Sequence, residues 1–248
     1  MSINGYVEAL MNNIKGGTQQ PIFRELIGAL DEAYGACMRL RLDTGPLIFG
    51  RFLLICRKSM MSAATLIASR QPEDSVGVTR RAIECARFAL AIKLNDENAL
   101  QWVAFQERHD RWVKRQQNEK PKAFQVQLKD VHGNEHIESL NKFLGILSDA
   151  YVHFTPEFYD SLDWDERKTE GGGEIFLNYF HRNQRDVAQH FNLLAAVHGR
   201  ILQVFDQCFD YEFREDVNVL AAINRFWAVA KRYSDDYAQR CGDRPPPM

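Results

Sequence analysis

A histidine at the end of a predicted helix is the first residue of this chain that could do chemistry. His153 follows Asp149 by four residues within Leu147–Glu157, so a helix places the carboxylate and the imidazole on one face. At a helix C-terminus the dipole favours the protonated ring, which suits a general acid or a contact to phosphate. A histidine in the last helical turn is also a common end-cap, and this structural alternative stays open.

A charge cluster on one predicted helix is the second candidate. Arg80, Arg81 and Arg87 each lie three or four residues from Glu84, within reach of its carboxylate on the helix surface. If Glu84 pairs with one arginine, the others are available to an anion such as phosphate. The alternative is a solvated or inter-helix salt-bridge network with a structural role.

Aromatic and basic side chains run together along about residues 97–117. Such a surface could hold single-stranded nucleic acid by stacking and charge. An aromatic stripe at helical spacing is also typical of a helix that packs in the core, and both interpretations stay open. The aromatic stripe is Trp102, Phe105, His109 and Trp112, and the basic residues beside it are Arg108, Arg111, Lys114 and Arg115.

Three other patterns predict no further site. His132 and His136 have the spacing of two zinc ligands on a helix, but Gly133 and Asn134 interrupt that helix, so we expect no metal. His198 lies in an apolar stripe and is expected to be a core histidine. The sequence has no nucleophile elbow and no glycine-rich phosphate loop, and we expect no cofactor.

The segment Arg185–His190 separates an arginine and a histidine by four residues and sets Asp186 directly after the arginine. This spacing resembles the arginine–histidine signature of the HEPN superfamily of helical ribonucleases and defence proteins. The resemblance implies that Arg185 binds the scissile phosphate. It also implies that His190 acts as acid or base on the 2′-hydroxyl, without a metal.

A longer resemblance covers about residues 52–209. It runs through a helix with Arg81 and Glu84, a helix rich in tryptophan and arginine, and then Ser148 before His153. This order is similar to a group of uncharacterised bacterial all-helical proteins that are thought to be related to HEPN domains. The resemblance implies a helical bundle in which these four residues converge.

The elements that must position these residues are predicted to be helices. Apolar residues recur at steps of three and four along most of the chain, which indicates an all-α bundle of about seven to eight helices. We expect a HEPN-like core with two N-terminal helices added, in a single domain of residues 1–240 in which residues 1–45 pack on the core. Residues 241–248 are predicted to be a disordered tail. The predicted helices cover about residues 3–15, 21–42, 46–69, 73–94, 97–117, 137–154 and 155–161, and the first is expected to end at Gly16 and Gly17. Two long helices near 187–208 and 220–237 are expected to pack as an antiparallel pair.

An acidic, glycine-rich stretch, residues 162–173, is predicted to be a flexible surface loop. The residues after it, 175–180, are too few for periodicity to decide between a short strand and a helix.

Composition indicates a globular protein and argues against a disulfide-rich or membrane-spanning one. The 248 residues are 45% hydrophobic, so the chain can bury a core. The formal net charge of -2 neither indicates nor excludes a nucleic-acid or membrane partner. Five widely spaced cysteines argue against a disulfide framework and for a reducing, cytoplasmic compartment. Arg51, Arg57 and Lys58 interrupt the apolar stretch 46–69, so no membrane contact is expected.

Two functions are compatible with these patterns. The first is a HEPN-like bacterial protein that binds RNA, or cleaves it without a metal, in a defence or toxin–antitoxin setting, with His153 or His190 facing a cleft together with an arginine. The alternative is a non-enzymatic protein–protein interaction module, for example a homodimer. Whether the protein is an enzyme is left open by the sequence.

Overall fold

The computed structural model describes the backbone of residues 2–44, 47–116, 118, 120, 133–151, 164–169, 172–177, 180 and 184–241. Within these ranges, side-chain surroundings are described except at residues 41–44, 96, 148–151, 164–169, 172–177, 184–186 and 240–241.

The described chain is an all-α bundle with one small β-hairpin, which confirms the predicted fold class. A π-helical segment, Phe23–Ile27, leads directly into the second helix. The helices are α1 (Ile3–Thr18), α2 (Gly28–Thr44), α3 (Leu47–Ala68), α4 (Pro72–Leu94), α5 (Asp96–Val113), α6 (Glu135–Tyr151), α7 (Gln184–Cys208), α8 (Glu212–Glu215) and α9 (Val217–Cys241).

Short polar side chains begin several helices. The Oδ1 of Asn95 accepts from the backbone N–H of Glu97 at 2.9 Å, at the start of α5. The Oδ1 of Asn134 accepts from the first N–H groups of α6 at 3.2 Å, and Asp216 caps α9 in the same way at 2.9 Å. These bonds satisfy helical donors that have no partner within the helix, which explains why the helices begin at these positions.

The first helix continues through the glycine pair that was expected to end it. Gly17 lies inside α1 and is buried against α3, where a β-carbon would lie 2.2 Å from the carbonyl oxygen of Ala68. The prediction of a stop at Gly16 and Gly17 is therefore wrong. Gly17 permits a close approach of two helices, a role that its position in the sequence does not distinguish from a helix stop.

The predicted surface loop at 162–173 is wrong over most of its length. Strand β1 (Trp164–Thr169) pairs antiparallel with β2 (Gly172–Leu177), in a register that sets Trp164 opposite Leu177. Two residues separate the strands, so the glycines indicate a chain reversal in a hairpin. The predicted helix at 155–161 and the tail beyond Cys241 lie outside the described residues.

The core is built around α3, α4 and α7. These three helices pack on one another, α6 packs on α4 and α7, and α1 packs on α3. The two long C-terminal helices contact each other as expected, but α9 packs more extensively on α2. Arg225 on α9 binds Glu32 on α2 at 2.8 Å, and Arg232 on α9 binds Glu25 in the π-helical segment that precedes α2.

A polar pair crosses the middle of this core. The Tyr34 hydroxyl on α2 and the Nδ1 of His198 on α7 are 2.7 Å apart, and both side chains are fully buried. Burial lowers the pKa of His198 to about 3, so the ring is neutral at pH 7. A neutral ring that carries its proton on Nε2 accepts the Tyr34 hydroxyl proton at Nδ1. His198 is thus a core histidine, as expected.

Replacing Gly17 with alanine should destabilise the protein, because the new methyl group would collide with backbone atoms of Ala68 that cannot move separately from α3. We expect the free energy of unfolding to fall by about 1–3 kcal/mol in urea titration. Gly16→Ala is the matched control, since nothing lies within 4 Å of a β-carbon there. It should be neutral or stabilising by about 0.5–1 kcal/mol. Equal effects of the two substitutions would contradict the packing described.

His198 should make the free energy of unfolding decrease as the pH is lowered below 7. Its pKa is about 3 in the folded chain and about 6.5 when unfolded, so below pH 6.5 the unfolded chain binds a proton that the folded chain does not. Its stabilising contribution is present above pH 6.5 and is lost as the pH falls toward 3. Between pH 7 and pH 5 the loss is about 2 kcal/mol. Urea titrations at both pH values should show a smaller loss for His198→Gln than for the wild type; an identical loss would refute this role.

Candidate nucleic-acid interface

The described residues include only part of the predicted site around His153. Ser148 and Asp149 lie in the last turns of α6, but their side chains are outside the described set, as is the whole of His153. The predicted pairing of Asp149 with His153 and the convergence of Ser148 and His153 with the Arg81 cluster therefore stay predictions.

The arginine–histidine pair lies within α7. Arg185 is in its first turn, and its side chain is not described. His190 is 7% exposed, next to the fully buried Phe191, and lines neither of the surface cavities described below. A buried imidazole cannot reach the 2′-hydroxyl of a polymer that approaches from solvent. The prediction that His190 faces a cleft together with an arginine gains no support from this burial, and we do not propose it as a catalytic residue.

The charge cluster on α4 is divided. The Nε of Arg80 donates to Glu84 Oε1 at 3.2 Å, on the helix surface. Arg81 is exposed and Arg87 half-buried, and neither forms an ion pair with a described carboxylate. Burial lowers the pKa of Arg87, while Glu84 opposes that shift. Because six residues separate Arg81 from Arg87, they point about 120° apart around the helix and do not form one anion site.

The aromatic stripe of α5 forms a continuous series of ring contacts, which we call the aromatic ladder. Ring centroids are 6.0 Å apart between Trp102 and Phe105, 6.0 Å between Phe105 and His109, and 5.6 Å between His109 and Trp112. At its inner end, Trp102 contacts the buried ring of Phe52 on α3 at 5.3 Å. All four ladder residues remain partly exposed, so the ladder is neither a core stripe nor a free surface.

A groove runs beside the ladder where α3 meets α5. It has a volume of about 290 Å³, and a second cavity of about 300 Å³ adjoins it at Asp110. The first, which we call the α5 groove, is lined by Arg51, Trp102, Phe105, Gln106, His109 and Asp110. The second is lined by Glu107, Asp110, Arg111, Lys114 and Gln116.

Basic groups outnumber acidic ones along this surface. Glu107 and Asp110 are its carboxylates, and within the described chain neither forms an ion pair with the basic residues around it. The ammonium group of Lys120 lies 5.6 Å from the Trp112 ring centroid, a cation–π contact at the outer end of the ladder. The exposed basic residues are Arg51, Arg108, Arg111, Lys114 and Arg115.

Sequence reasoning identified the ladder and its basic neighbours but missed Arg51, Phe52 and Lys120. Arg51 and Phe52 lie about fifty positions before the ladder, and only the packing of α3 near α5 brings them to it. Arg51 interrupts an apolar stretch, and this could have indicated its position, because a charged side chain on a core helix must point to the protein surface.

Comparisons with known proteins leave the family open: no protein-family model, no curated protein and no solved structure matches the chain. The resemblance to HEPN-like proteins therefore stays a prediction. Within the described residues, no group of three or more His, Cys, Asp or Glu side chains is arranged to hold a metal ion. None of the described helices is long and apolar enough to cross a membrane.

Proposed function

We propose that this protein binds single-stranded RNA along α5, with bases stacked on the aromatic ladder and phosphates held by the surrounding basic residues. The observation that carries the proposal is the ladder itself, a partly exposed run of four rings beside a groove. Partly exposed rings at helical spacing can offer flat surfaces on which bases stack.

The dimensions of the surface suit a base better than a large cofactor. The α5 groove, at about 290 Å³, is near the lower limit of about 300 Å³ for small-molecule sites. Its walls combine stacking surfaces with the amide of Gln106 and the carboxylate of Asp110, which can hydrogen-bond to base edges. Phe52 supports the inner end of the ladder from α3, so Trp102 is held in place before a ligand arrives.

Charge favours the same partner. Arg111 and Lys114 lie near the outer end of α5, in the cavity that Glu107 and Asp110 also line, and neither forms an ion pair with a described carboxylate. Such groups bind phosphates and release the counterions that surround a nucleic acid. Basic residues in the last turn also stabilise the helix dipole. Around α5, Arg111 points about 100° away from Trp112, so it lies on the face beside the ladder, in the cavity that Glu107 also lines.

The preference for RNA over DNA, and a bacterial defence or toxin–antitoxin setting, rest on the HEPN-like resemblance alone. Metal-independent cleavage would require another histidine than the buried His190, and His153 is the remaining candidate. Degradation of RNA in EDTA by the wild type, with loss of that activity in His153→Ala, would add cleavage to the proposed binding.

Fluorescence anisotropy with a labelled single-stranded RNA of about ten nucleotides tests the binding site. Trp112→Ala should weaken binding about 5- to 150-fold, since stacking on one ring contributes about 1–3 kcal/mol. Trp112→Phe keeps a ring at this position and should retain most of the affinity. Arg111→Gln and Lys114→Gln should each reduce the slope of log K against log salt by about 0.7.

Arg24→Gln is the matched charge control, because Arg24 is exposed but lies before α2, away from the ladder. It should leave both the affinity and the salt slope unchanged. Wild-type affinity in Trp112→Ala, together with an unaltered salt slope in the α5 charge variants, would refute the proposed interface.

A protein-interaction role is the second candidate, and one observation favours it. The apolar side chains of Leu100, Val103 and Val113 on α5 are 71%, 51% and 59% exposed. Exposed apolar residues on one helix are typical of a surface that a partner covers. Light scattering over a range of concentrations tests self-association. A dimer that Leu100→Glu dissociates would support this role, and a monomer at all concentrations would exclude the homodimer.

A further inference from the structure

Two side chains of opposite charge line the α5 groove without pairing. Arg51 belongs to its α3 wall, and Asp110 lies on its α5 wall, where the second cavity adjoins the groove. Within the described chain, neither side chain forms an ion pair or a hydrogen bond, with the other or with a third group. The guanidinium has donors only, and the carboxylate has acceptors only. Both are therefore open to one ligand that carries acceptors and donors at neighbouring positions.

The rings of the groove indicate the shape of that ligand. Trp102, Phe105 and His109 form one row along α5, and beside it Gln106 and Asp110, four residues apart, form a polar row. A flat ligand that stacks on the first row presents its edge to the second. In the RNA-binding role proposed above, this ligand is a nucleobase.

The carboxylate of Asp110 is the group that needs explanation on such a surface. It repels phosphates, whereas Arg111 and Lys114 in the adjoining cavity attract them. A contact to the edge of a base offsets this repulsion, because a carboxylate can accept two parallel hydrogen bonds. Guanine alone among the four RNA bases carries N–H donors on two adjacent positions of its Watson–Crick edge, N1 and N2, which match the two carboxylate oxygens.

We propose that the α5 groove is a guanine-selective subsite of the RNA interface. Asp110 accepts from N1–H and N2–H of the base, and Arg51 donates to O6 and N7, the pair of acceptors that arginine binds with its fork of N–H groups. Adenine presents an amino group where guanine has O6 and carries no proton on N1. Cytosine and uracil each have a single nitrogen that can donate. The inference rests on the proposed RNA binding and adds base selection to it.

Fluorescence anisotropy with three labelled RNAs tests the selection. Each is a ten-nucleotide strand of uridines with one central guanosine, adenosine or inosine. The wild type should bind the guanosine RNA at least about tenfold more tightly than the adenosine RNA, as expected for hydrogen bonds to charged groups. Inosine lacks the N2 amino group, so the inosine RNA should have an intermediate affinity. Because the preference is a ratio measured on one protein sample, a partly unfolded variant does not mimic its loss.

Substitutions in the groove should change this ratio. Asp110→Asn should reduce it to within about threefold, since an amide offers one acceptor and sets its own donor against the base. Glu107→Gln is the matched control, because it removes the same charge from the second cavity and should keep the ratio. Arg51→Gln should also lower the ratio, whereas loss of a contact to phosphate alone would weaken all three RNAs equally.

GMP distinguishes a guanine within a strand from a free guanine nucleotide. A strand also reaches Arg111 and Lys114, so the guanosine RNA should bind at least about tenfold more tightly than GMP. Equal affinities would overturn the assignment of the groove to RNA. Equal binding of the guanosine and adenosine RNAs by the wild type would overturn the subsite and leave the RNA interface in place. Absence of binding to all three RNAs would overturn both.

Discussion

Close packing of α3, α4 and α7 through small residues is the constraint on which the rest of the structure depends. Alanines allow the three helix backbones to approach closely, and their larger neighbours fill the space around them. The helices outside this centre, α2, α6 and α9, cover its remaining apolar faces. The buried alanines at the centre are Ala63 and Ala64 on α3, Ala82, Ala86 and Ala89 on α4, and Ala195 and Ala196 on α7.

The same packing determines which chemical groups meet. It brings the Cys56 thiol of α3 against the carbonyl oxygen of Ala82 on α4, and it holds Phe52 against Trp102 at the start of the aromatic ladder. His190, on α7, is also buried. The candidate interface lies on α5, which packs mainly on α4 and leaves its aromatic and basic side chains partly exposed.

Much of the fold could be predicted from the sequence, because long helices repeat the same apolar spacing over many turns. The helices from 47 to 68, 72 to 94 and 184 to 208 begin and end within a few residues of the expected positions. Shorter features were predicted wrongly where the local sequence is compatible with two different structures. Gly17 could end a helix or allow another backbone to approach it, and the glycines at 171–173 could belong to a loop or to a hairpin. Only the packing partner or the pairing strand distinguishes them.

The candidate site could be predicted only in part, for a related reason. Helical spacing aligned Trp102 with Trp112 because both lie on one helix, but spacing cannot show how deeply a stripe is buried. The contributions of Arg51 and Phe52 come from another helix, which the spacing within α5 does not reveal. The charge pattern of α4 predicted that three arginines could bond to Glu84, and among the described residues Arg80 forms such a bond.

Photo-crosslinking is the most direct test of the claim that α5 binds RNA. A single-stranded RNA containing 4-thiouridine would be irradiated in complex with the full chain, and the modified peptides would be mapped by mass spectrometry. The account predicts that crosslinks concentrate between Trp102 and Trp112. Crosslinks concentrated on α9 or on the N-terminal helices, with α5 unmodified, would contradict it.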